Sequence, residues 1–232
     1  MYEGVRAWPD GDSTVARVAA TAAEYGFDGV VVRNHGDVQA DYDADAIASA
    51  SGIDVVDGIE IRTDDISRAS GLIGNYRSKR TIVCVHGGSL NRFAVEQPQV
   101  DVLAHPMRDG DVNHVLAKAA AHNDVHLEFN FGRVLRRAGG ERVDAIQGLR
   151  KLWELVDKYD TPYVVSADPS SHLEVRGWRE LRAVGTAIGI DSDAIERGLR
   201  AWRELAKRNR TRLDEALVEP GVLIETDGED DR

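Results

Sequence analysis

The sequence predicts an α/β fold in which parallel strands close into a barrel with helices around it. Two observations support this prediction. Short apolar runs alternate with longer amphipathic segments, which is typical of parallel strands joined by crossover helices. Histidines and carboxylates follow several of these runs, at the end of the sheet where barrel enzymes carry their chemistry. The 232 residues suit one such domain.

The strands are predicted from runs of β-branched and apolar residues bounded by turn-forming residues. They cover residues 2–6, 29–33, 55–61, 81–85, 102–104, 126–131 and 163–166. Their strict alternation with helices favours a seven-stranded parallel TIM-like barrel over a β-sandwich. No clear eighth strand follows the seventh.

The helices are predicted from apolar positions that recur at helical spacing. They cover residues 13–25, 43–50, 65–75, 111–122, 141–159, 178–188 and 192–209. Ser13 and Asp111 are expected as N-caps of the first and the fourth of these helices. We assign residues 1–212 to the barrel domain with its C-terminal helices, and we expect residues 213–232 to form an acidic, flexible tail.

The charge composition indicates adaptation to high salt. The net charge is −11, and the basic residues comprise five lysines and 24 arginines. Abundant aspartate with scarce lysine is typical of halophiles, although an acidic protein of a GC-rich bacterium has a similar composition. A net negative charge normally argues against a nucleic-acid partner. In a halophile this charge serves solubility, so it does not exclude RNA.

The sequence shows no sign of membrane insertion or secretion. No segment approaches the roughly 18 apolar residues of a membrane span, and the first residues lack the layout of a signal peptide. Cys84 is the single cysteine, which excludes a disulfide framework and a thiolate zinc cluster. We therefore expect a cytoplasmic protein.

Residues that could bind a metal are expected at one rim of the barrel. The carboxyl ends of parallel strands meet at one end, so polar side chains behind the strands should converge there. These residues are His35, Glu60, His86, His105, Asp168 and His172. Glu128 and Asn130 could face inward from the sixth strand. Such ligands around an open position would let a metal activate water for phosphoester hydrolysis.

The first strand argues against a working metal site. It contains no histidine, and Arg6 lies near its end. A guanidinium stays protonated, so it cannot ligate a metal and repels one. Each rim histidine taken alone is more simply a polar side chain satisfied by neighbouring carbonyls or carboxylates. The cluster can then be an inherited pocket without a working metal.

Other reactive patterns are weak. Gly87, Gly88 and Ser89 behind the fourth strand could hold a phosphate on backbone N–H groups. A tight turn between strand and helix is the simpler interpretation. The serines near the seventh strand lack a nucleophile elbow, and Cys84 is most simply a core residue.

Basic residues are concentrated in groups that solubility does not require in so acidic a chain. Acidic neighbours are expected to be few around the first two groups, which favours contact with phosphate. The groups are Arg77, Lys79 and Arg80, then Arg133, Arg136 and Arg137, then Arg176, Arg179 and Arg182. Six more basic residues lie at positions 200–212, in and just after the last predicted helix. Pairing with acidic side chains along the helix explains them as well as RNA contact does.

Several motifs, by their order and spacing, resemble known families. Residues 101–106, with Gly58-Ile59-Glu60 and Val85-His86-Gly87-Gly88, resemble the polymerase-and-histidinol-phosphatase superfamily. The whole string is similar to the thirty-kilodalton RNase P subunit family, including its archaeal branch, RNase P protein component 3. Its further motifs are residues 86–92, 94–96, 128–131, 166–168 and 173–177. The similarity runs from about Tyr2 to Arg208, and the composition favours a haloarchaeal member.

The resemblance implies a seven-stranded barrel of the phosphatase-superfamily type without its full metal set. Members of the RNase P family are protein subunits of the ribonucleoprotein that removes 5′ leaders from precursor tRNA. Their catalyst is the RNA subunit with its magnesium ions, so the resemblance implies no catalytic residue and no cofactor in this chain. It implies that the residues at former ligand positions form a remnant pocket, namely His35, Glu60, His86, His105 and Asp168.

The resemblance also implies partners. These are RNase P RNA, RNase P protein component 2 in a heterodimer or heterotetramer, and precursor tRNA indirectly. The candidate RNA-binding residues are Arg77, Lys79, Arg80, Arg92, Arg133, Arg136, Arg137, Arg176 and Arg179. Two alternatives remain open at this point: a metal-dependent phosphoesterase, and a scaffold that contacts only other proteins.

Overall fold

The computed structural model describes residues 1–213, 217–219 and 222–223. Leu213 ends the last helix, one residue beyond the predicted barrel domain. Leu217–Glu219 and Val222–Leu223 pair as two short antiparallel strands, β8 and β9, which the sequence analysis did not expect. The rest of the acidic tail, residues 214–216, 220–221 and 224–232, lies outside the described residues.

Seven parallel strands form one sheet in chain order, and the sheet curves into a nearly closed barrel. The strands are β1 (Tyr2–Val5), β2 (Gly29–Val32), β3 (Asp54–Ile61), β4 (Ile82–His86), β5 (Val102–Ala104), β6 (His126–Asn130) and β7 (Tyr163–Ser166). The predicted fold class is confirmed, and each strand end lies within one residue of its prediction. Most strand residues are buried, which suits a parallel sheet that is covered on both faces.

Helices on the outside connect the strands. They are α1 (Val15–Glu24), α2 (Ala44–Ser51), α3 (Ile66–Arg77), α4 (Asn91–Val95), α5 (His114–His122), α6 (Gly132–Arg136), α7 (Gly139–Tyr159), α8 (Trp178–Ala187) and α9 (Ser192–Leu213), with a 3₁₀ turn, η1, at His172–Glu174. The sequence analysis missed α4 and α6, because five residues are too few for a helical period. Within the described residues, no helix is long and apolar enough to span a membrane.

Two predicted N-caps are wrong. Thr14 caps α1, where its side chain accepts from the backbone N–H of Arg17, while the buried Ser13 contacts a distant loop. Asn113 caps α5, and Asp111 pairs with Lys151 on α7 instead. In both cases a nearby residue with an equally suitable oxygen lies closer to the first helical turn.

The interior of the barrel is filled by the inward-facing side chains of the strands and by α9. These residues form one apolar cluster, made of Tyr2, Val31, Val56, Ile82, Cys84, Val102, Ala104 and Val164 with Trp202, Leu205 and Ala206. Trp202 is fully buried, and its Nε1 donates to the carbonyl of Val165 at 2.9 Å. At Gly198 a Cβ would lie 2.5 Å from Val165, so the close approach of α9 to β7 requires glycine there.

A buried carboxyl group joins β1 to β7, where the barrel closes. Glu3 is fully buried, and its Oε1 lies 2.6 Å from Ser166 Oγ and accepts from the N–H of Ala167 at 3.0 Å. The backbone adds a link from the N–H of Arg6 to the carbonyl of Pro169 at 3.0 Å. Burial raises the pKa of Glu3 to about 8, so this group is mostly neutral at pH 7.

We predict that Glu3 makes stability fall as the pH rises. Its pKa of about 8 lies above the ordinary value of 4.5, so the folded protein holds the proton more tightly than the unfolded chain between these values. Glu3→Gln mimics the neutral carboxyl group. Denaturant unfolding should therefore show the wild type losing stability relative to Glu3→Gln from about pH 5 to about pH 8. A constant difference across that range would contradict a neutral Glu3.

Candidate functional site at the barrel mouth

The polar residues expected at the rim converge at the carboxyl ends of the strands. Glu60 lies in β3, His86 ends β4, and His105 and Asp168 follow β5 and β7. His35 follows β2, and its backbone pairs with that of Glu60 as an isolated parallel β-bridge. Four of the five are buried, and His86 is half-buried. The pocket inferred from the sequence is therefore present as one cluster, which we call the rim cluster.

A guanidinium that the sequence analysis did not single out occupies the centre of the rim cluster. Arg33, directly behind β2, is fully buried. Its Nη1 donates to Glu60 at 2.9 Å, and its Nη2 donates to Glu128 at 2.6 Å and to Asp168 at 2.9 Å. One positive charge thus joins carboxylates from β3, β6 and the loop after β7. The inward orientation suggested for Glu128 is confirmed.

Arg6 supplies a second guanidinium from the end of β1. It donates to Glu60 and to Asp168, each at 3.2 Å. Its Nη2 also lies 2.8 Å from His105 Nε2. A guanidinium can only donate, so this nitrogen of His105 must accept, and the proton of the neutral ring then lies on Nδ1.

The two guanidiniums keep the central carboxylates ionised. Burial alone raises the pKa of Glu60, but Arg6 and Arg33 outweigh it and hold the pKa well below its usual range. The same balance lowers the pKa of Asp168. Burial alone lowers the pKa of Arg33, and the carboxylates around it outweigh this and raise it. The centre of the rim cluster therefore stays charged near neutral pH.

The other histidines of the rim cluster contact carboxylates. His35 Nδ1 lies 2.8 Å from Asp10, and its buried Nε2, which has no hydrogen-bond partner among the described residues, is 3.5 Å from Glu60. His86 Nδ1 lies 2.5 Å from Glu60. Burial lowers the pKa of His35, but the hydrogen bond with Asp10 and the nearby Glu60 carboxylate outweigh it, so this pKa is raised. Each ring is thus oriented by an acid, as the simpler interpretation of single histidines expected.

Two residues of the rim cluster adopt a backbone conformation that non-glycine residues rarely use. The φ angles of His105 and Asp168 are 53° and 50°, in the left-handed region. The Glu128 carboxylate accepts from the N–H of His105 at 2.9 Å, and Ser166 Oγ accepts from the N–H of Asp168 at 2.8 Å. These contacts hold both side chains toward the pocket despite the strain, which is typical of functional sites.

The side chains of the rim cluster that could ligate a metal do not fit a catalytic metal centre. Among the described residues, His35, Glu60 and His86 have ligand atoms within 4.8 Å of one another, which is the spacing that one ion needs. However, Glu60 already accepts from both guanidiniums, and His105 accepts from Arg6. A divalent ion would lie beside two fixed positive charges in a buried site, where their repulsion is weakly screened.

Two other features of the sequence lie outside the rim cluster. His172 lies in η1, where its Nδ1 is 2.9 Å from Ser13 Oγ. The glycines behind β4 form a tight turn, since the N–H of Gly88 donates to Asn91 at 3.0 Å and a Cβ at Gly87 would lie 2.7 Å from the same side chain. The simpler interpretation of the glycines is therefore the better one.

A cavity of about 620 Å³ opens beside the rim cluster at the mouth of the barrel. Its inner wall is polar and includes Arg6, Asn130 and Asp168, whereas Met107 and Leu149 contribute to an apolar wall. Arginines from the loop after β5 and from α6 and its end line its edge, namely Arg108, Arg133, Arg136 and Arg137. We call this space the mouth cavity.

The basic residues before β4 lie at the opposite, amino end of the barrel. Arg77 donates to the buried Asp101, and Arg80 donates to Asp57. Lys79 is exposed and donates to Asn75. The expectation of few acidic neighbours is wrong for this group, because aspartates distant in sequence lie close in space. Whether the group also contacts RNA stays a prediction.

Two other candidate arginines are satisfied by backbone carbonyls. Arg136 donates to the carbonyls of Ala167 and Asp168, at 3.0 and 2.9 Å. Arg176 donates in the same way to the carbonyls of Leu173 and Val175, at 3.0 and 2.9 Å. Both side chains therefore hold the loop after β7 in place.

The remaining candidate arginines lie at the surface. Arg92 and Arg137 form weak exposed pairs with the glutamates four residues later. Arg179 lies over the ring of Trp178 at 4.7 Å. Neither Arg133 nor Arg179 has a carboxylate partner among the described residues. Of the nine candidates, Arg133 thus lines the mouth cavity and also has no acidic partner within the described part of the chain.

The alternation of side chains along β2 predicts that Arg33 faces the interior of the barrel. Side chains alternate along a strand, so Arg33 faces the interior with Val31, two residues earlier. Gly4 on β1 leaves the space, since a Cβ there would lie 2.9 Å from Arg33 Nε. Asp10, which orients His35, lies in a loop, and no pattern in the sequence indicates its role.

We predict that Arg33→Met strongly destabilises the fold. The substitution keeps much of the side-chain volume but leaves three buried carboxylates without their central positive charge. Removing one partner of a buried ion pair costs about 3–5 kcal/mol. Denaturant unfolding at high salt should show a loss of about this size.

Arg92→Met is the matched control, because it breaks an exposed pair with Glu96. Such pairs contribute about 0–1 kcal/mol. If Arg33→Met were as stable as Arg92→Met, the central guanidinium would not hold the strand ends together.

Comparisons with known proteins show to which family this chain belongs. The profile described as RNase P subunit p30 matches residues 5–214. The chain is 72% identical to Ribonuclease P protein component 3 of Natronomonas pharaonis, across 100% of this chain and 98% of that protein. It is 63% identical to the protein of the same name from Haloarcula marismortui, across 99% of each. Both relatives come from haloarchaea, as the composition indicated.

Solved structures share the fold. A chain in a cryo-EM structure of archaeal Ribonuclease P with mature tRNA superposes with a TM-score of 0.83 at 23% identity, covering 99% of this chain and 100% of that one. Histidinol phosphate phosphatase from Lactococcus lactis, solved with zinc, L-histidinol and phosphate, gives a TM-score of 0.57 at 11% identity, over 82% of this chain and 94% of that one. The chain belongs to the RNase P subunit p30 family.

Proposed function

We propose that this chain is a non-catalytic protein subunit of RNase P that supports the catalytic RNA in removing 5′ leaders from precursor tRNA. One observation carries the non-catalytic part of the proposal. Two guanidiniums, Arg6 and Arg33, lie among Glu60, Glu128 and Asp168, where a hydrolase of this fold would need an open cation. Membership of the RNase P subunit p30 family supports the rest.

A phosphoesterase would need a cation to lower the pKa of a bound water and to stabilise the charge that develops on phosphate. In the rim cluster each central carboxylate accepts from a guanidinium, and Arg6 also donates to His105. Guanidiniums can bind a phosphate oxygen, but they cannot ionise a water. The chemistry available at the mouth is therefore binding, and hydrolysis falls to the RNA subunit with its magnesium ions.

We propose that RNA contacts the mouth end of the barrel through arginines at the edge of the mouth cavity. Arg133 has no acidic partner among the described residues, and Arg137 and Arg108 hold theirs only at 3.6 and 3.4 Å in exposed positions. Such pairs exchange readily for a phosphate, to which a guanidinium binds through two parallel hydrogen bonds. At the amino end, by contrast, Arg77 is held by a buried aspartate.

High salt restricts how such an interface works. The affinity for RNA falls linearly on logarithmic scales, with a slope of roughly −0.7 to −0.9 per phosphate contact. In a halophile, bidentate geometry and contacts with a protein partner must therefore supply much of the affinity. We propose RNase P protein component 2 as this partner, in a heterodimer or heterotetramer that acts in the cytoplasm, with precursor tRNA bound indirectly.

Reconstitution tests the proposed function directly. We expect precursor-tRNA cleavage by RNase P RNA with its other proteins to rise several-fold on addition of this chain. Arg133→Glu together with Arg137→Glu should abolish most of that increase and weaken RNA binding, because both side chains would then repel phosphate. The slope of affinity against salt should also become shallower by roughly 0.7–0.9 for each phosphate that the variant no longer binds.

Lys79→Glu serves as the control, since Lys79 is exposed like Arg137 but lies at the amino end of the barrel. It should leave cleavage close to the wild-type level. If Lys79→Glu reduces cleavage and the mouth variant does not, the RNA contacts the amino end instead. Cleavage that does not depend on the chain at all would reject the proposed function.

We also predict that the purified chain holds no stoichiometric divalent metal. Elemental analysis after dialysis against zinc and manganese should find well below one ion per chain, because Arg6 and Arg33 already neutralise the carboxylates. A phosphatase screen should show no turnover. A bound ion together with activity that is lost in Glu60→Gln would establish the phosphoesterase alternative.

A further inference from the structure

We propose that the mouth cavity binds one unpaired nucleotide of RNA, with its phosphate at the polar wall and its base at the apolar wall. This inference rests on the proposed function and specifies what the mouth recognises. Proteins that read individual RNA bases do so largely on single-stranded nucleotides, whose unstacked bases are accessible to side chains. Three properties of the cavity support such an occupant: its size, its unused donors and its apolar wall.

The size of the cavity suits a nucleotide. Its volume of about 620 Å³ lies within the roughly 300–1,000 Å³ of small-molecule sites. Inorganic phosphate alone would leave most of this space empty. A double helix would not enter it, so the cavity favours a nucleotide that has left the helical stack.

The polar wall carries hydrogen-bond donors that have no acceptor. Asn130 Oδ1 accepts from the N–H of Gly132 at 2.9 Å, which turns the amide nitrogen the other way. Within the described residues that nitrogen, Nδ2, is buried without a hydrogen-bond partner, and so is Arg6 Nε, which lies 3.7 Å from Asp10 Oδ2. Buried donors without partners are costly, so a ligand that supplies acceptors gains from satisfying them. Arg133 adds a guanidinium without an acid among the described residues.

The carboxylates around the cavity are already engaged, so the unused groups select for an anion. Asp168 and Glu128 accept from Arg33 in the interior. At the edge, Glu141 pairs with Arg137, and Glu174 accepts from Ser170 and lies near Arg136. Asp109, which also lines the cavity, pairs with Arg108, so each acid of the wall has a partner, held firmly in the interior and weakly at the exposed edge. Asn130 Nδ2, by contrast, has no acceptor within the described part of the chain, and a phosphate would supply one. This favours a negatively charged ligand.

The apolar wall provides a face for a base. Pro106, Met107, Ala145 and Leu149 line the side of the cavity between the loop after β5 and helix α7. Gly148 on α7 allows the two sides to approach, since a Cβ there would lie 3.3 Å from Met107. A methionine side chain is polarisable and adapts to the shape of an aromatic ring. Free phosphate or a protein carboxylate would not use this wall.

The test is a titration of the intact chain, followed by NMR or calorimetry, in molar potassium chloride. Adenosine 5′-monophosphate and uridine 5′-monophosphate should bind saturably, and inorganic phosphate and adenosine should each bind at least tenfold more weakly. Equal affinity for inorganic phosphate and the nucleotides would reduce the site to a phosphate subsite and overturn the proposal. Absence of saturable nucleotide binding would overturn it too.

Three variants test whether nucleotides bind in the mouth cavity. Asn130→Asp keeps the oxygen that accepts from Gly132 but replaces the unused donor by a negative charge, so affinity for nucleotides should fall at least tenfold with little change in Tm. Ala145→Phe should fill the cavity and have the same effect. Val143→Phe adds the same ring at an exposed position of α7 and should change nothing. Unchanged binding in both cavity variants would mean that nucleotides bind elsewhere.

Reconstitution separates this inference from the proposed function. If the chain stimulates precursor-tRNA cleavage but binds no nucleotide at the mouth cavity, the inference fails and the RNase P function stands. If the chain does not stimulate cleavage, the RNase P function fails whatever the nucleotides do. Stimulation that is reduced several-fold by Asn130→Asp, and not by Val143→Phe, would support both.

Discussion

The ion cluster around Arg33 is the interaction on which the rest of the structure depends. A single guanidinium from the end of β2 satisfies carboxylates from β3, β6 and the loop after β7. Burying four charges costs several kcal/mol per ion, and the close pairing of both Nη atoms of Arg33 with carboxylates offsets that cost. The surroundings are built to allow it: Gly4 leaves room beside the guanidinium, and the ring of Trp202 lies 5.8 Å from it.

The arginines of this chain have three physical roles that the sequence does not distinguish. Arg33 and Arg6 pair with buried carboxylates inside the barrel. Arg77 and Arg208 both bind the buried Asp101 at the amino end, which fixes α3 and α9 against the start of β5. Arg133, at the edge of the mouth cavity, has no acidic partner within the described part of the chain. Sequence clusters of arginine therefore overstate the basic surface, because folding brings distant aspartates to several of them.

The fold could be predicted because each strand is a mostly apolar run, and such runs are what a parallel sheet buried on both faces requires. The convergence of His35, His86 and His105 followed from topology alone, since every parallel strand ends at the same rim. Contacts between side chains could not be predicted in this way. Glu3 looks like an exposed acid in sequence, and its burial depends on β7, a strand distant in sequence, closing beside it. The same holds for Asp101, whose partners come from two helices.

The position of Trp202 determines when the barrel can become complete. Its ring fills the interior between the two ends of the sheet, yet it belongs to the last helix, close to the C-terminal end of the described barrel. Until that helix has docked, the carboxylates around Arg33 remain open to water, and β1 and β7 lack the helix that packs against both strands. Long-range closure of this kind makes folding slow and cooperative. The complete barrel therefore forms only once α9 has docked against the sheet.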